Sequence, residues 1–249
     1  MHIIPIRINN MYCDFHTHSC VNNDFNIKKC ISFYDKVSFE NFLNLNPKND
    51  EKTKLALGVH PWYIDEEFFS YIKSLFSEIS SKKLQKNNIS AIGEIGFDFV
   101  KNDYDLNCQQ DFFAKQLDFA INHNLPVIIH NVKGFHNLVH NIKNLKKVKS
   151  CVFHGYSGTY EEAMYFLRHN VNAFFSFGKN ILNNSTKSLD CLNKLPIEKI
   201  GLETDCEISQ TVKIEDVYKK VFDVKKIKNQ ENINNFMIQI EHNFDSIFT

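Results

Sequence analysis

Proline and glycine are scarce, with 5 and 8 among 249 residues, and they nowhere gather with serine into a linker, so nothing marks a domain boundary. An excess of one charge is lacking too: 29 Lys and Arg face 29 Asp and Glu, a formal balance of +0. That excludes the broad basic field by which a protein holds nucleic acid strongly without local help. No run of about 18 apolar residues occurs, which argues against a membrane span, and the segment from Met1 to Arg7 lacks the apolar stretch of a signal peptide. The seven cysteines, Cys13, Cys20, Cys30, Cys108, Cys151, Cys191 and Cys206, are odd in number and include no Cys-x-x-Cys pair. That usage reads as a reduced, cytoplasmic protein. Internal repeats and low-complexity tracts are absent as well.

What is present fits one domain over residues 1–249, since about 250 residues is the usual size of a single eight-fold α/β barrel. Apolar runs bounded by turn residues predict eight strands: Met11–His16, Lys29–Tyr34, Lys54–His60, Ser90–Ile95, Pro126–His130, Ser150–His154, Asn172–Phe177 and Lys199–Thr204. Their apolar continuity suits a parallel sheet sealed on both faces. Helical spacing appears in Glu66–Ser81, Gln109–Asn124, Gly134–Leu145, Glu161–His169, Ser185–Leu195, Glu215–Phe222 and Glu231–Phe244. Strands alternating with helices predict a closed (β/α)8 TIM barrel, with a doubly wound open sheet as the alternative. Lys48–Lys52 and Lys82–Asn88 read as solvated loops.

In a parallel barrel the C-terminal strand ends form one rim where catalytic groups converge. Eleven histidines in 249 residues would place roughly 0.7 at about sixteen such positions by chance, yet His16, His18, His60, His130 and His154 all close apolar runs. Strand side chains alternate faces, so the spacing of two in His16-Thr17-His18 aims both imidazoles the same way, as one metal requires. Glu94 lies in Gly93-Glu94-Ile95-Gly96-Phe97-Asp98, a carboxylate inside an apolar strand. It needs a compensating cation, either metal or a Lys or Arg partner. His130 and His154, each considered alone, read as hydrogen-bonded core histidines. Glu203 and Asp205 repeat the spacing of two and need a cation or a shared proton. With Asp98 the rim holds five imidazoles and up to four carboxylates, a metal site's inventory.

Other residues are set aside. His136 and His140 are four apart on a helix, but Asn137 stands where His-Glu-x-x-His needs glutamate. His2, His123, His169 and His242 fall at a terminus or on predicted helices, and Phe112, Phe113 and Phe119 read as core rather than as a platform for bases.

Taken in order, Asp14-Phe-His16-Thr-His18, Gly58-Val-His60-Pro61, Gly93-Glu94-Ile-Gly96-Phe-Asp98, Leu125-Pro126-Val-Ile-Ile-His130, His154-Gly-Tyr-Ser157-Gly158 and Glu203-Thr-Asp205 resemble the TatD family of metal-dependent hydrolases, from about residue 11 to 206. The resemblance implies an amidohydrolase-like TIM barrel, two divalent metal ions and, in the better-known members, a deoxyribonuclease that removes nucleotides from DNA ends. By motif match it implies that His16, His18 and Asp205 hold one metal, that His130 and His154 hold the other, that Glu94 bridges, and that His60 lies near the substrate phosphate. Two metals about 3.5–4 Å apart can generate hydroxide from a shared water and stabilise both oxygens of a phosphoryl displacement. Asp205 is then the candidate base, His60 a donor to a non-bridging oxygen, and Glu203 an orienting group. The expected partner is a phosphodiester, DNA in the first instance, with no membrane and no obligate protein partner.

The chain departs from the DNase pattern in places. Trp62 replaces a second histidine, Val132 with Lys133 stands where an arginine is usual, Cys206-Glu207-Ile208 follows the last motif, and later Arg-Gly and Asn-Glu-Pro segments are absent. Gly-Val-His-Pro-Trp, His-Asn-Val-Lys-Gly and Ser-Phe-Gly are similar to a shortened branch of the family. These changes spare the expected ligands and remove groups that would contact phosphate, a loss that Lys133 and Lys179 are placed to offset. Four imidazoles favour Zn²⁺, Mn²⁺, Fe²⁺ or Ni²⁺ over Mg²⁺, although the family's nucleases are commonly assigned Mg²⁺. The competing expectations are a metal-dependent phosphoesterase of the polymerase-and-histidinol-phosphatase type, an amidohydrolase acting on a small non-nucleic substrate, and a metal- or partner-binding barrel without turnover.

Overall fold

Short runs of β-branched and aromatic residues gain most when both faces are sealed, and eight of them lie side by side in the computed structural model, which describes residues 11–18, 26–45, 51–77, 89–101, 103–207 and 212–249. They are β1 (Tyr12–Thr17), β2 (Ile27–Phe33), β3 (Thr53–Leu57), β4 (Ile89–Asp98), β5 (Val127–Val132), β6 (Cys151–Phe153), β7 (Ala173–Phe177) and β8 (Ile200–Leu202). Each pairs in parallel with the next, in sequence order. The two edges meet where Asp205 N–H donates to the His16 carbonyl at 3.0 Å and His18 N–H to the Cys206 carbonyl at 2.9 Å. Just below, the buried Asp14 carboxylate accepts from the Thr204 amide at 3.0 Å and hydroxyl at 2.7 Å, tying β1 to the end of β8. The expected (β/α)8 barrel is therefore observed, and the open sheet is excluded.

Outside the strands lie α1 (Lys36–Leu45), α2 (Glu66–Ser77), α3 (Leu106–Asn122), α4 (Phe135–His140), α5 (Ile142–Leu145), α6 (Tyr160–Arg168), α7 (Lys179–Leu182), α8 (Thr186–Lys194), α9 (Ile214–Val224) and α10 (Gln230–Phe248). Strand alternation sends Phe97 and Phe153 outward onto Phe113 of α3 and Phe166 of α6, with ring centroids 4.8 and 4.7 Å apart. Phe15 meets Phe244 of α10 at 5.4 Å in the same way. The alternate residues of β1 and β4, among them Asp14, His16, Glu94 and Asp98, are thereby left to the barrel interior and its mouth. No helix among the described residues is long and apolar enough to cross a membrane.

All eight predicted strands occur with shifted ends. β4 continues past Ile95 to Asp98, whereas β3, β6 and β8 stop at Leu57, Phe153 and Leu202. His60, His154, Glu203 and Asp205 consequently stand just after their strands, although the His154, Glu203 and Asp205 amides still donate to the Ile129, Phe177 and His16 carbonyls of neighbouring strands. Helix α1 was not expected; its signal was Asp35, whose carboxylate caps the Ser38 amide at 2.8 Å, ahead of Phe39, Phe42 and Leu43. The predicted helix Gly134–Leu145 is interrupted at Asn141, whose side-chain amide donates to the Asn137 carbonyl at 2.7 Å and so competes with the backbone ladder. Cys20, Ile208, the loop Lys82–Asn88, His2 and part of Lys48–Lys52 lie outside the described residues.

Candidate metal centre

Glu94 has a side chain only 4% exposed, and each of its oxygens faces a different group of imidazoles. Oε1 lies 2.9 Å from His18 Nε2 and 3.3 Å from His16 Nε2. Oε2 lies 2.6 Å from His154 Nε2, 3.4 Å from His130 Nδ1 and 3.6 Å from His60 Nε2. Asp205 adds Oδ1 at 3.7 and 4.0 Å from the Nε2 atoms of His16 and His18. Its backbone adopts φ 47°, so the chain turns out of the β8 direction at this residue. All six expected metal ligands and His60 are thus brought together at one end of the barrel.

A second tier of side chains aims these rings. The Ser32 carbonyl of β2 accepts from His18 Nδ1 at 3.0 Å, and the Ser32 hydroxyl pairs with His16 Nδ1 at 3.0 Å. His18 therefore turns Nε2 to Glu94. Asp98 Oδ2 accepts from His130 Nε2 at 3.0 Å and from the Trp62 indole N–H at 2.8 Å. His130 is left to present Nδ1 inward, 3.1 Å from His154 Nε2. Behind His154, the fully buried Glu203 accepts the Gly155 amide at 2.5 Å and lies 3.7 Å from His154 Nδ1. The Lys179 ammonium donates to the Asp205 carbonyl and sits 3.4 Å from its Oδ2. Glu203 and Asp205, expected as a carboxylate pair on one face, are instead divided between different partners, because the turn at Asp205 separates their courses.

Electrostatics follows from this crowding. Burial alone would raise Glu94, but the His154 and His16 imidazoles, with hydrogen bonds from His130 and His154, hold it well below the usual carboxylate range. Burial disfavours charge on His18, yet the Glu94 carboxylate outweighs it and pushes that pKa up to about 9. His154 is raised well above the ordinary imidazole value in the same contest, by Glu94 and Glu203. His60 goes the other way: burial prevails over Glu94, and the neighbouring His130 and His154 lower it further.

The donor set fits divalent metal. His16 Nε2 is a buried ring nitrogen without a hydrogen-bond partner, aimed between two carboxylates. Three overlapping groups, His16-His18-Glu94, His16-His154-Asp205 and His60-Glu94-His130, each bring one ligand atom per residue within 4.8 Å. Imidazole nitrogens with carboxylate oxygens are the ligands that borderline divalent cations take.

Two tests arise here. In metal-free protein the proton on His18 stabilises the fold fully below about pH 6.5, the unfolded value, and that contribution is lost as pH rises through about 9. A cation takes the proton's place, so added Mn²⁺ or Zn²⁺ should raise the melting temperature little at about pH 6 and much more at about pH 8.5. Thermal unfolding with metal and with chelator measures this, and a gain independent of pH contradicts it. The second concerns Trp62→Phe, which keeps a ring but removes the donor to Asp98. Calorimetric titration should show roughly 10–100-fold weaker metal binding, with stability changed by about 1 kcal/mol. Unchanged affinity would mean that the indole bond does not orient His130.

One contributor carries only a faint signal in the sequence. Ser32 is a lone hydroxyl inside Ile31-Ser32-Phe33, a polar residue where β2 has both faces sealed, and that was its signal. Asp14 carries no metal-facing role here, and its carboxyl, pushed up to about 7 by burial against the Thr204 bonds, belongs to barrel closure. Lys179 lines the cleft above the centre, whereas Lys133, offered as a replacement charge, is exposed and not among the lining residues. His123, His136, His140 and His242 are exposed, and Phe112, Phe113 and Phe119 pack in or against the core, as expected.

Comparison with known proteins gives a consistent picture. A model of TatD related DNase matches residues 13–249. The uncharacterized metal-dependent hydrolase YjjV of Escherichia coli (strain K12) is 28% identical over 164 residues, 64% of this chain and 60% of that protein. A proposed deoxyribonuclease, the TATDN1 homolog of Enterocytozoon bieneusi, is 26% identical over 216 residues, 82% of this chain and 74% of that protein. The chain spans 60%, 65% and 65% of the length of three curated relatives that it matches. The crystal structure of Escherichia coli YjjV, a TatD homolog, aligns with a TM-score of 0.78 at 21% identity, covering 95% of this chain and 97% of that one, a likeness of fold.

Proposed function

The chain belongs to the family of TatD-related DNases, and from that membership we propose that it is a metal-dependent hydrolase of phosphodiesters, with DNA ends as its substrate. The observation that carries the reading is the Glu94 carboxylate set among five imidazoles, each of its oxygens toward a separate group. His16, His18 and Asp205 would hold one divalent ion, His130 and His154 a second, with Glu94 serving both. Such ions supply Lewis acidity, which acidifies water and offsets charge developing on phosphoryl oxygens.

The chain's own groups account for the remaining requirements. Asp205 has a side chain 32% exposed at the cleft, open to water from outside, and is the group suited to accept its proton. As that water oxygen bonds to phosphorus and the bond to the leaving oxygen breaks, the proton passes from Asp205 to the leaving oxygen. His60 is suited to donate rather than to ligate. Its Nδ1 accepts the Trp62 backbone N–H at 3.1 Å, so in the neutral ring, which burial favours, the proton resides on Nε2 facing the cleft. A donor in that place serves a non-bridging oxygen. Lys179 adds positive charge beside Asp205, while Val132 on β5 stands in the place of the usual arginine. The six described cysteines are all free, which supports a reducing, cytoplasmic setting.

Metal analysis of purified protein, combined with a panel of single-stranded DNA, RNA, abasic DNA and small phosphodiesters, tests the proposal. Metal-dependent release of nucleotides from a DNA 3′ end, abolished in Asp205→Asn, is the expected result. Metal-loaded protein that cleaves amides and no phosphodiester would overturn it.

A further inference from the structure

Three aromatic rings stand along one side of the cleft, and the chemistry above uses none of their faces. Tyr34 follows β2, and Trp62 and Tyr63 lie on the loop after β3, so the barrel order makes them neighbours at the mouth. The Tyr34 and Tyr63 rings stack with centroids 5.1 Å apart and planes 26° from parallel. Trp62 meets Tyr63 edge-on at 6.2 Å and 81°. The Lys101 ammonium, just beyond β4, lies 3.8 Å above the indole centroid and 5.6 Å from the Tyr63 ring. All three rings line the same cleft, of about 320 Å³, as four imidazoles and Glu94 of the centre, and the charged Lys179, Asp205 and Glu207 line it too.

Burial in the core does not account for this wall: Tyr34 and Trp62 are half-buried, and Tyr63, stacked on Tyr34, is still 44% exposed at the cleft. The rings are nevertheless held firmly. Trp62 is pinned through its N–H to Asp98, and Tyr34 rests edge-on against His18 at 5.6 Å. A rigid aromatic surface beside a candidate metal centre, with an ammonium over it, matches a planar ring that carries a neighbouring anion. Neutral sugars lack the charge that Lys101 would meet, and simple alkyl phosphoesters lack the ring.

We propose that Tyr34, Tyr63 and Trp62, together with Lys101, form a stacking subsite for a nucleobase adjoining the phosphate at the centre. Substrates that lack a base at that position are consequently poor ones. The inference rests on the phosphodiester reading above, and it gives the cleft a way to select nucleic acid without a basic protein surface.

Trp62 is the single tryptophan of the chain, so its emission reports on this wall alone. The full chain in Mg²⁺ is titrated with a thymidine dinucleotide phosphorothioate and with its counterpart bearing tetrahydrofuran in place of both bases. The base-bearing ligand should quench the emission saturably and bind about tenfold more tightly than the base-free one. Tyr63→Ala, at an exposed position, should weaken the first about tenfold and leave the second unchanged. Equal affinities and equal emission responses for both ligands would overturn the subsite. Base-dependent quenching in a protein that hydrolyses no dinucleotide would keep the subsite and reject the catalytic reading, so the two fail separately.

Discussion

Glu94→Gln is expected to empty the candidate centre of divalent metal and to lower hydrolysis by about a thousandfold or more. The substitution keeps the shape of the side chain and removes one negative charge from among five imidazoles. The remaining carboxylates do not replace it: Asp205 Oδ1 lies 3.7 and 4.0 Å from His16 and His18, Glu203 faces His154 from its Nδ1 side at 3.7 Å, and Asp98 is engaged with His130 and Trp62. The same charge holds up the pKa of His18 and His154, so in metal-free protein the variant should be destabilised more at about pH 6 than at about pH 8. Metal content after dialysis, nucleotide release and denaturant titration at the two pH values provide the measurements. A variant that retains both metal and activity would remove Glu94 from the proposed chemistry.

Gly96→Ala should be the most damaging single-methyl change. Gly96 has φ +148°, and a Cβ built there falls 1.9 Å from the His130 carbonyl oxygen and 2.9 Å from its carbon. Both contacts are backbone, so no rotamer relieves them. Gly96 pairs with His130 across β4 and β5, and the methyl must therefore displace the strand segment that carries a candidate ligand. Destabilisation of about 3 kcal/mol or more is expected, with metal binding weakened in the fraction that folds. Gly155→Ala is the control. It also has positive φ, at +52°, but its Cβ would meet only Glu203 Oε1 at 3.8 Å, so a loss near 1 kcal/mol is expected from conformation alone. Urea unfolding of the two variants compares them directly, and equal losses would show that the β4–β5 approach is not the cause.

Much of the barrel is readable from local pattern. Runs such as Val127–Ile129 or Ala173–Phe177 are apolar throughout because both sides of a barrel strand are covered, and that composition survives any change of context. The exceptions are instructive. Helix α1 carries a cap and an apolar face but sits among asparagines that weaken its helical signal, and the break at Asn141 depends on a side-chain bond invisible in spacing. Strand ends failed for a different reason. Whether His60 or Asp205 is in the ladder depends on where the neighbouring strand stops, which residues far away in sequence decide.

The order of residue types along the chain determined, without further help, that eight covered strands would form and that five histidines and Glu94 would end on one rim, because alternation and parallel pairing are local rules applied repeatedly. Only the tertiary structure decided which nitrogen each ring presents, since that choice is made by Ser32, Asp98, Trp62 and Glu203 across the barrel. The separate partners of Glu203 and Asp205 and the aromatic wall beside them have the same origin. They are contacts between loops distant in sequence, and such contacts exist only after the barrel has closed.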